Sequence, residues 1–150
     1  MAQPLSIFVM ADTHNRLPVN IEALAKNADE IWHLGDVCDP AILEAIEQFG
    51  PPVTVVRGNC DSGSEWPLVV DLERNGARLR LIHIPPERPP ANFDVVLHGH
   101  THVPRHERRE GVLFLNPGCV TRPNRGAAAS VANLDIAPDG KLSWRTIPLR

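Results

Sequence analysis

Short apolar runs recur along the chain, and a polar residue follows closely after each one. The runs are rich in β-branched and other aliphatic residues and have the length of buried strands. They predict strands over residues 5–10, 31–34, 53–56, 79–82 and 95–97. We expect each run to form a buried strand whose carboxyl end delivers polar residues.

Two helices are predicted between the first three strands. Residues 18–27 and 40–49 each begin with proline, which suits the first position of a helix, and each collects apolar residues on one face. Further strands are predicted at 112–115, 130–136 and 142–147, with a turn at Pro138-Asp139-Gly140 between the last two. The order predicts a parallel first sheet and a more antiparallel second sheet, packed against each other.

Two connecting segments have distinct compositions. Prolines at positions 85, 86, 89 and 90 predict an extended, non-helical connection that is short for a parallel crossover. Residues 105–110 mix charges of both signs, which is typical of a solvated turn.

The polar residues after the strands form a candidate metal site. The carboxyl ends of parallel strands line the crevice in which α/β proteins bind ligands. Residues two apart in an extended segment point to the same side, so Asp12 with His14, and His100 with His102, can each supply two ligands. Taken alone, Asp12, Asp36 and Asn59 are better explained as cap or turn residues, and His14 as an exposed side chain. Together the segments favour a transition metal. The candidate ligands are Asp12, His14, Asp36, Asn59, His83, His100 and His102.

Composition narrows the class of protein. The 150 residues suit a single domain over 1–150 that needs no disulfide for stability, and the net charge of −3 argues against nucleic-acid binding. Three cysteines without a C-x-x-C pair predict reduced thiols. The first fifteen residues have no basic segment, and their apolar run is short and ends before Asp12. We therefore predict neither a signal peptide nor a membrane span, and we expect a cytoplasmic location.

Several motifs together resemble those of the calcineurin-like metallophosphoesterases, above all the small single-domain bacterial phosphodiesterases. The motifs are A-D-T-H at 11–14, H-L-G-D at 33–36, V-R-G-N-C-D at 56–61, H-G-H-T-H at 98–102 and N-P-G at 116–118. The resemblance implies an α/β fold, a four-layer α/β/β/α sandwich with two packed mixed β-sheets, and a dinuclear metal site at one end of the sheets.

The resemblance also implies a ligand set and a reaction. One divalent ion is expected on Asp12, His14 and His102, the other on Asn59, His83 and His100, with Asp36 between them. The catalytic residues would be Asp36, Asn59 and His100. Mn²⁺ is the expected ion, with Fe, Zn or Ni as alternatives. The activity would be hydrolysis of a small phosphate ester by a metal-activated hydroxide, without nucleic-acid or membrane partners, in a chain that can form homo-oligomers.

Two departures from the family pattern leave a second function open. Cys60 stands where many members have a histidine that gives a proton to the leaving group, and Ile84-Pro85 replaces the usual Gly-His after His83. The alternative is a non-catalytic scaffold for protein assembly, as in the retromer subunit that resembles this family. Cys119 and Arg125 also match the C-x5-R spacing of cysteine-dependent phosphatases, although Pro123 removes an N–H that such a loop needs.

Overall fold

The computed structural model describes residues 2–149, and the two ends of the predicted domain, Met1 and Arg150, lie outside it. The elements in chain order are β1 (Leu5–Met10), α1 (Ile21–Ala25), β2 (Glu30–His33), α2 (Pro40–Glu47), β3 (Val53–Val55), a 3-10 turn (Asn59–Asp61), β4 (Val69–Arg74), β5 (Ala77–Ile82), β6 (Val95–Leu97), β7 (Arg105–Arg109), β8 (Val112–Asn116), β9 (Ser130–Ile136) and β10 (Leu142–Pro148).

The first sheet has the strand order β10-β9-β1-β2-β3. Strands β1, β2 and β3 are parallel, as predicted, but β9 runs antiparallel to β1 and β10 antiparallel to β9. The prediction of a wholly parallel first sheet is therefore wrong, because the last hairpin returns to this sheet and flanks β1.

Both helices are shorter than predicted and pack on one face of the first sheet. Ile21 of α1 and Ile46 of α2 are buried in the same cluster as Phe8 and Ile31 of the sheet. Asp39 caps α2 by accepting a hydrogen bond from the N–H of Ala41 at 2.9 Å, which fixes the start of this helix next to Pro40. The helices thus form one outer layer.

The second sheet has the order β4-β5-β6-β8-β7. Its three central strands are parallel, whereas β4 and β7 lie antiparallel at the two edges. The predicted turn at 105–110 is wrong, because Arg105–Arg109 is the edge strand β7. Its hairpin with β8 turns at Glu110 and Gly111, whose φ angles of 48° and 82° suit a two-residue turn with positive φ. Charged side chains are tolerated there because an edge strand is exposed.

The inner faces of the two sheets enclose the main core. Val9, Trp32, Leu79 and Leu97 are fully buried between them. The fold class is therefore confirmed, namely mixed α/β with two packed mixed sheets. Within residues 2–149, however, no helix forms the expected fourth layer, because the proline-containing connection between β5 and β6 is irregular, as predicted.

A different arrangement covers the outer face of the second sheet. Phe114 is fully buried there, and the guanidinium of Arg105 lies 4.5 Å from the centre of its ring.

No helix within residues 2–149 has the length and apolar character that crossing a membrane requires.

Candidate metal centre

Two adjacent loops deliver the first candidate ligands. The loop after β1 lies beside the loop after β2, because the N–H of Asp12 donates to the carbonyl of Gly35 at 2.9 Å and that of His14 to the carbonyl of Asp36 at 3.0 Å. Asp12, His14 and Asp36 adopt positive φ angles of 60°, 45° and 59°. Such conformations are unfavourable for residues other than glycine and cluster at functional sites.

Four of the predicted ligands come together in one cluster. The candidate ligand atoms of Asp12, His14, Asp36 and His102 all lie within 4.8 Å of one another. Nε2 of His14 is 3.6 Å from Oδ2 of Asp36 and 3.3 Å from Nε2 of His102. Nε2 of His102 is in turn 3.6 Å from Oδ1 of Asp12. The chain thus brings two carboxylates and two imidazoles to one point from three separate segments.

His83 joins this cluster from the end of β5. Its Nε2 lies 3.3 Å from Oδ2 of Asp36 and 3.9 Å from Oδ1 of Asp12. Nδ1 of His83 is 2.7 Å from the carbonyl of Leu34, and Nδ1 of His102 is 2.7 Å from the carbonyl of Arg122. When these Nδ1 atoms donate to the carbonyls, both rings are oriented with the Nε2 lone pair available to the cluster.

The two other predicted ligands lie next to the cluster. The ring centroid of His100 is 5.2 Å from that of His83, and His100 is half-buried. Asn59 is exposed at the first position of the 3-10 turn. The N–H of the next residue, Cys60, donates to Oδ1 of Asp36 at 2.9 Å, so this turn is attached directly to the cluster.

The two carboxylates have opposite electrostatic environments. Asp12 is fully buried, and among the residues that the structure describes neither of its oxygens has a hydrogen-bond partner. Burial, followed by the charge of Asp36, raises the pKa of Asp12 to about 7 against the opposing effect of His83. Burial alone would raise the pKa of Asp36, but the nearby imidazole of His83 and the hydrogen bond from the amide of Cys60 outweigh it and lower this pKa to about 2.

The pKa values of the clustered histidines are also shifted in opposite directions. Burial lowers the pKa of His14 and of His100, which favours neutral rings that can bind a metal. For His83 burial is outweighed by the carboxylates of Asp36 and Asp12, so its pKa is raised. Buried carboxylate oxygens without partners, facing imidazole nitrogens, are the donor set that suits divalent transition-metal ions.

The carboxylate of Asp61 connects the loop that carries Asp36 to the turn that carries Asn59. It accepts hydrogen bonds from the amides of Asp36, Cys38 and Gly58, each at 2.8 Å, and the side chain is buried. These hydrogen bonds therefore fix the turn at Asn59 relative to the loop that carries Asp36.

A disulfide joins Cys38 and Cys60, with a Cα–Cα distance of 5.3 Å. The prediction of reduced thiols is therefore wrong for these two residues, because the fold brings together cysteines that are 22 positions apart. Only their position next to the Asp36 and Asn59 motifs could have signalled the pairing.

Cys119 is buried and, within the described residues, free, but it does not form a thiolate phosphate loop. Its Sγ lies 3.3 Å from the carbonyl of Asp12, and burial raises the pKa of the thiol. The segment after Arg125 leads into β9, whereas a cysteine-dependent phosphatase places a helix there. The C-x5-R alternative is therefore rejected.

His33 and His98 have local partners. Nε2 of His33 lies 3.1 Å from Oγ1 of Thr13, and Nε2 of His98 lies 3.1 Å from a guanidinium nitrogen of Arg105. Burial lowers the pKa of His33 to about 3 and that of His98 to about 4. Both are thus neutral supporting residues under the loops.

Comparisons with known proteins place the whole fold in one family. Residues 5–139 match the calcineurin-like phosphoesterase superfamily domain. The chain is 32% identical to phosphodiesterase YfcE of Escherichia coli strain K12, over 87% of this chain and 88% of that protein. The solved structure of YfcE superimposes with a TM-score of 0.74 at 25% identity, covering 97% of this chain and 100% of that one.

A second solved structure is similar in fold alone. Vacuolar Protein Sorting 29 from Cryptosporidium parvum matches with a TM-score of 0.77 at 21% identity, covering 98% of both chains. The family match spans most of this chain, and it includes the loops that carry the clustered carboxylates and imidazoles. The chain therefore belongs to the calcineurin-like phosphoesterase superfamily, whose members bind divalent metal ions.

Proposed function

We propose that the chain is a phosphodiesterase or phosphatase that hydrolyses a small phosphate ester at a centre of two divalent ions. The observation that carries this proposal is the buried Asp12 carboxylate, whose unpartnered oxygens face the imidazole nitrogens of His83 and His102. A buried charge in this state is costly unless a cation compensates it. Asp12, His14 and His102 would hold one ion, and Asn59, His83 and His100 the other, with Asp36 between them.

Divalent cations bound here would supply Lewis-acid stabilisation of the phosphate charge and a water of lowered pKa. The residues of the chain supply the preorganisation. The hydrogen bond from the amide of Cys60 and the neighbouring His83 keep Asp36 ionised. The carbonyls of Leu34 and Arg122 fix two imidazole rings, so no reorientation is needed when substrate binds. Mn²⁺ is the first ion to test, and the mixed donor set also suits Fe, Zn or Ni.

A groove beside His100 is suited to the substrate. It has a volume of about 550 Å³, and its lining includes the exposed Arg125 as well as Arg105, whose guanidinium is already paired with Glu107. Guanidinium groups favour an anionic ester, and a groove of this size takes a small molecule rather than a polymer. The proposed partner is therefore a small phosphate ester. A cytoplasmic location and homo-oligomer formation remain predictions.

The proposal is tested by hydrolysis of bis-p-nitrophenyl phosphate and p-nitrophenyl phosphate with added Mn²⁺. Asp36→Ala is expected to lower kcat/KM by about a thousandfold, which corresponds to about 4 kcal/mol of lost transition-state stabilisation. Asp139→Asn is the matched control, because Asp139 only accepts a turn hydrogen bond from the amide of Lys141 at 3.0 Å. Equal rates for Asp36→Ala and the wild type would reject the proposal.

A scaffold for protein assembly is the second candidate, and the backbone similarity to Vacuolar Protein Sorting 29 favours it. A scaffold needs the surface of the fold and not the centre, so metal loading should leave its assembly unchanged. Absence of hydrolysis in folded wild-type protein with each of Mn²⁺, Fe²⁺, Zn²⁺ and Ni²⁺ would favour this candidate over the enzyme.

A further inference from the structure

The disulfide lies directly against the proposed centre. Cys38 follows Asp36 by two residues and Cys60 follows Asn59 by one, so the bridge connects the two loops that carry these residues. Cys60 is exposed and Cys38 is half-buried. A small dithiol can therefore reach the bridge from solvent, unlike the buried thiol of Cys119.

The two ring nitrogens of His14 face different groups. Nε2 lies 3.6 Å from Oδ2 of Asp36 and 3.8 Å from Oδ1 of Asp12. Nδ1 lies on the other side of the ring, 3.8 Å from Sγ of Cys38. The candidate ligand atoms of His14, Cys38 and Cys60 all lie within 4.8 Å of one another. One imidazole is thus shared between an oxygen-rich cluster and a sulfur pair.

A second set of contacts keeps the sulfurs close without the covalent bond. The buried carboxylate of Asp61 accepts hydrogen bonds from the amides of Cys38, Asp36 and Gly58, each at 2.8 Å. The amide of Cys60 also donates to Asp36 at 2.9 Å. Because these bonds do not involve sulfur, reduction should leave both loops in place with two adjacent thiols.

We propose that reduction of the Cys38–Cys60 bridge creates a second metal site, in which the two thiolates and Nδ1 of His14 bind a thiophilic divalent cation such as Zn²⁺. A dithiol reductant supplies two electrons and two protons and becomes a disulfide, while the bridge becomes two thiols. Cation binding then displaces both thiol protons. Two sulfurs and one nitrogen leave a fourth tetrahedral position for water. A neutral ring that binds through Nδ1 keeps its proton on Nε2, so in the reduced protein this cation competes with the first ion of the proposed hydrolytic centre for His14.

The test uses Co²⁺ as the probe on the full chain. One sample is reduced with a water-soluble phosphine and freed of it under argon, and a second sample is left oxidised. Thiol titration of the folded protein should count two more reactive thiols after reduction. On addition of Co²⁺ the reduced sample should gain a sulfur-to-cobalt charge-transfer band in the near ultraviolet, and the oxidised sample should show none.

Variants separate this site from the hydrolytic centre. Cys38→Ser and Cys60→Ser should each lose the band. Asp36→Asn should keep the band while losing hydrolysis, so failure of one proposal is distinguishable from failure of the other. Reduced wild-type protein with two counted thiols and no band would overturn the inference. So would a bridge that yields no new thiols, or a band that persists in both cysteine variants.

Discussion

Asp12 occupies an unfavourable place for a carboxylate in the metal-free protein. It is fully buried, its oxygens have no hydrogen-bond partner within residues 2–149, and its φ angle is 60°. In the unfolded chain the pKa of Asp12 is near 3.8, whereas in the folded state it is about 7. The folded state therefore binds the extra proton between these values, so this residue's contribution to stability falls as pH rises from about 4 to about 7.

Asp12→Asn should stabilise the metal-free protein above pH 7. The rise in the pKa of Asp12 from 3.8 to about 7 corresponds to about 4 kcal/mol of unfolding free energy that is lost when this carboxyl ionises in the folded protein. We expect Asp12→Asn to recover about 1–3 kcal/mol of it, because a buried amide also needs hydrogen-bond partners. Urea unfolding in EDTA at about pH 8 measures the gain, which should shrink at about pH 4. Asp139→Asn, at an exposed turn, is the control and should change little. A gain for Asp12→Asn that does not depend on pH would contradict the assigned cause.

Cys60 leads to a prediction about the leaving group. In the disulfide its sulfur has no proton to donate. We expect rates for a series of substituted phenyl phosphodiesters to rise steeply as the pKa of the leaving phenol falls, because departure is not assisted by an acid at this position. The rate series with oxidised protein measures the slope, and a flat series would show that another group donates the proton.

At the residue scale the sequence indicated which side chains converge but not what holds them. The motifs were enough to select Asp12, His14, Asp36, His83 and His102, which the fold brings together. The carbonyl partners of the histidines and the disulfide depend on distances between segments far apart in the chain. No local pattern encodes such distances, and the only sequence signal for any of these features was the position of the two cysteines beside the Asp36 and Asn59 motifs.

Gly58 is a position where the loop after β3 closely approaches the loop that carries Asp36. A Cβ atom there would overlap the amide nitrogen and the side-chain oxygen Oδ1 of Asp36. The φ angle of Gly58 is −97°, so close approach and not backbone conformation requires glycine here. The 3-10 turn that follows can therefore pack against the Asp36 loop only if residue 58 lacks a side chain.

Gly58→Ala should displace Asp36 and weaken the centre. We expect a loss of about 1–3 kcal/mol of stability from overpacking, together with about 10- to 100-fold weaker Mn²⁺ binding. Calorimetric titration and thermal unfolding measure the two effects. Gly63→Ala is the matched control, because a Cβ at Gly63 meets nothing within 4 Å. Unchanged Mn²⁺ affinity in Gly58→Ala would show that Asp36 tolerates the displacement.

At the element scale the buried strands were predictable and two edge strands were not. β7 is Arg-His-Glu-Arg-Arg, which has no apolar alternation, and it forms because pairing with β8 satisfies its backbone. β4 alternates Val70 and Leu72 inward, and it meets β5 at an Asn75-Gly76 turn with φ angles of 50° and 85°. That dipeptide is a strong hairpin signal that the sequence interpretation did not use.

Specific contacts join the two sheets at the end opposite the centre. Arg74 of β4 donates to both carboxylate oxygens of Glu30 in β2, at 2.8 and 3.0 Å. The side chain of Asn75 donates to the carbonyls of Gln3, Ile136 and Ala137. The candidate metal centre lies at the other end, where His83 from the second sheet contacts Asp12 and Asp36 from the first. Contacts therefore connect the two sheets at both ends of the core.

Divalent ions should stabilise the whole molecule. With free Mn²⁺ at about 100 times its dissociation constant, binding to the folded state alone adds about 2.7 kcal/mol. For a chain of this length that corresponds to a rise in Tm of about 5–10 °C. Differential scanning calorimetry with Mn²⁺ and then with excess EDTA measures the rise and its reversal. Asp36→Asn should lose most of it, and an equal rise in that variant would place the bound ion elsewhere.

The order of the strands determines when the centre can form during synthesis. β1, which leads directly to Asp12, lies between β2 and β9, yet all five strands of the second sheet come between β3 and β9 in the chain. A nascent polypeptide on the ribosome thus leaves one edge of β1 unpaired until Ser130–Ile136 has emerged. Completion of the first sheet is therefore a late event that requires synthesis of the chain through Ile136.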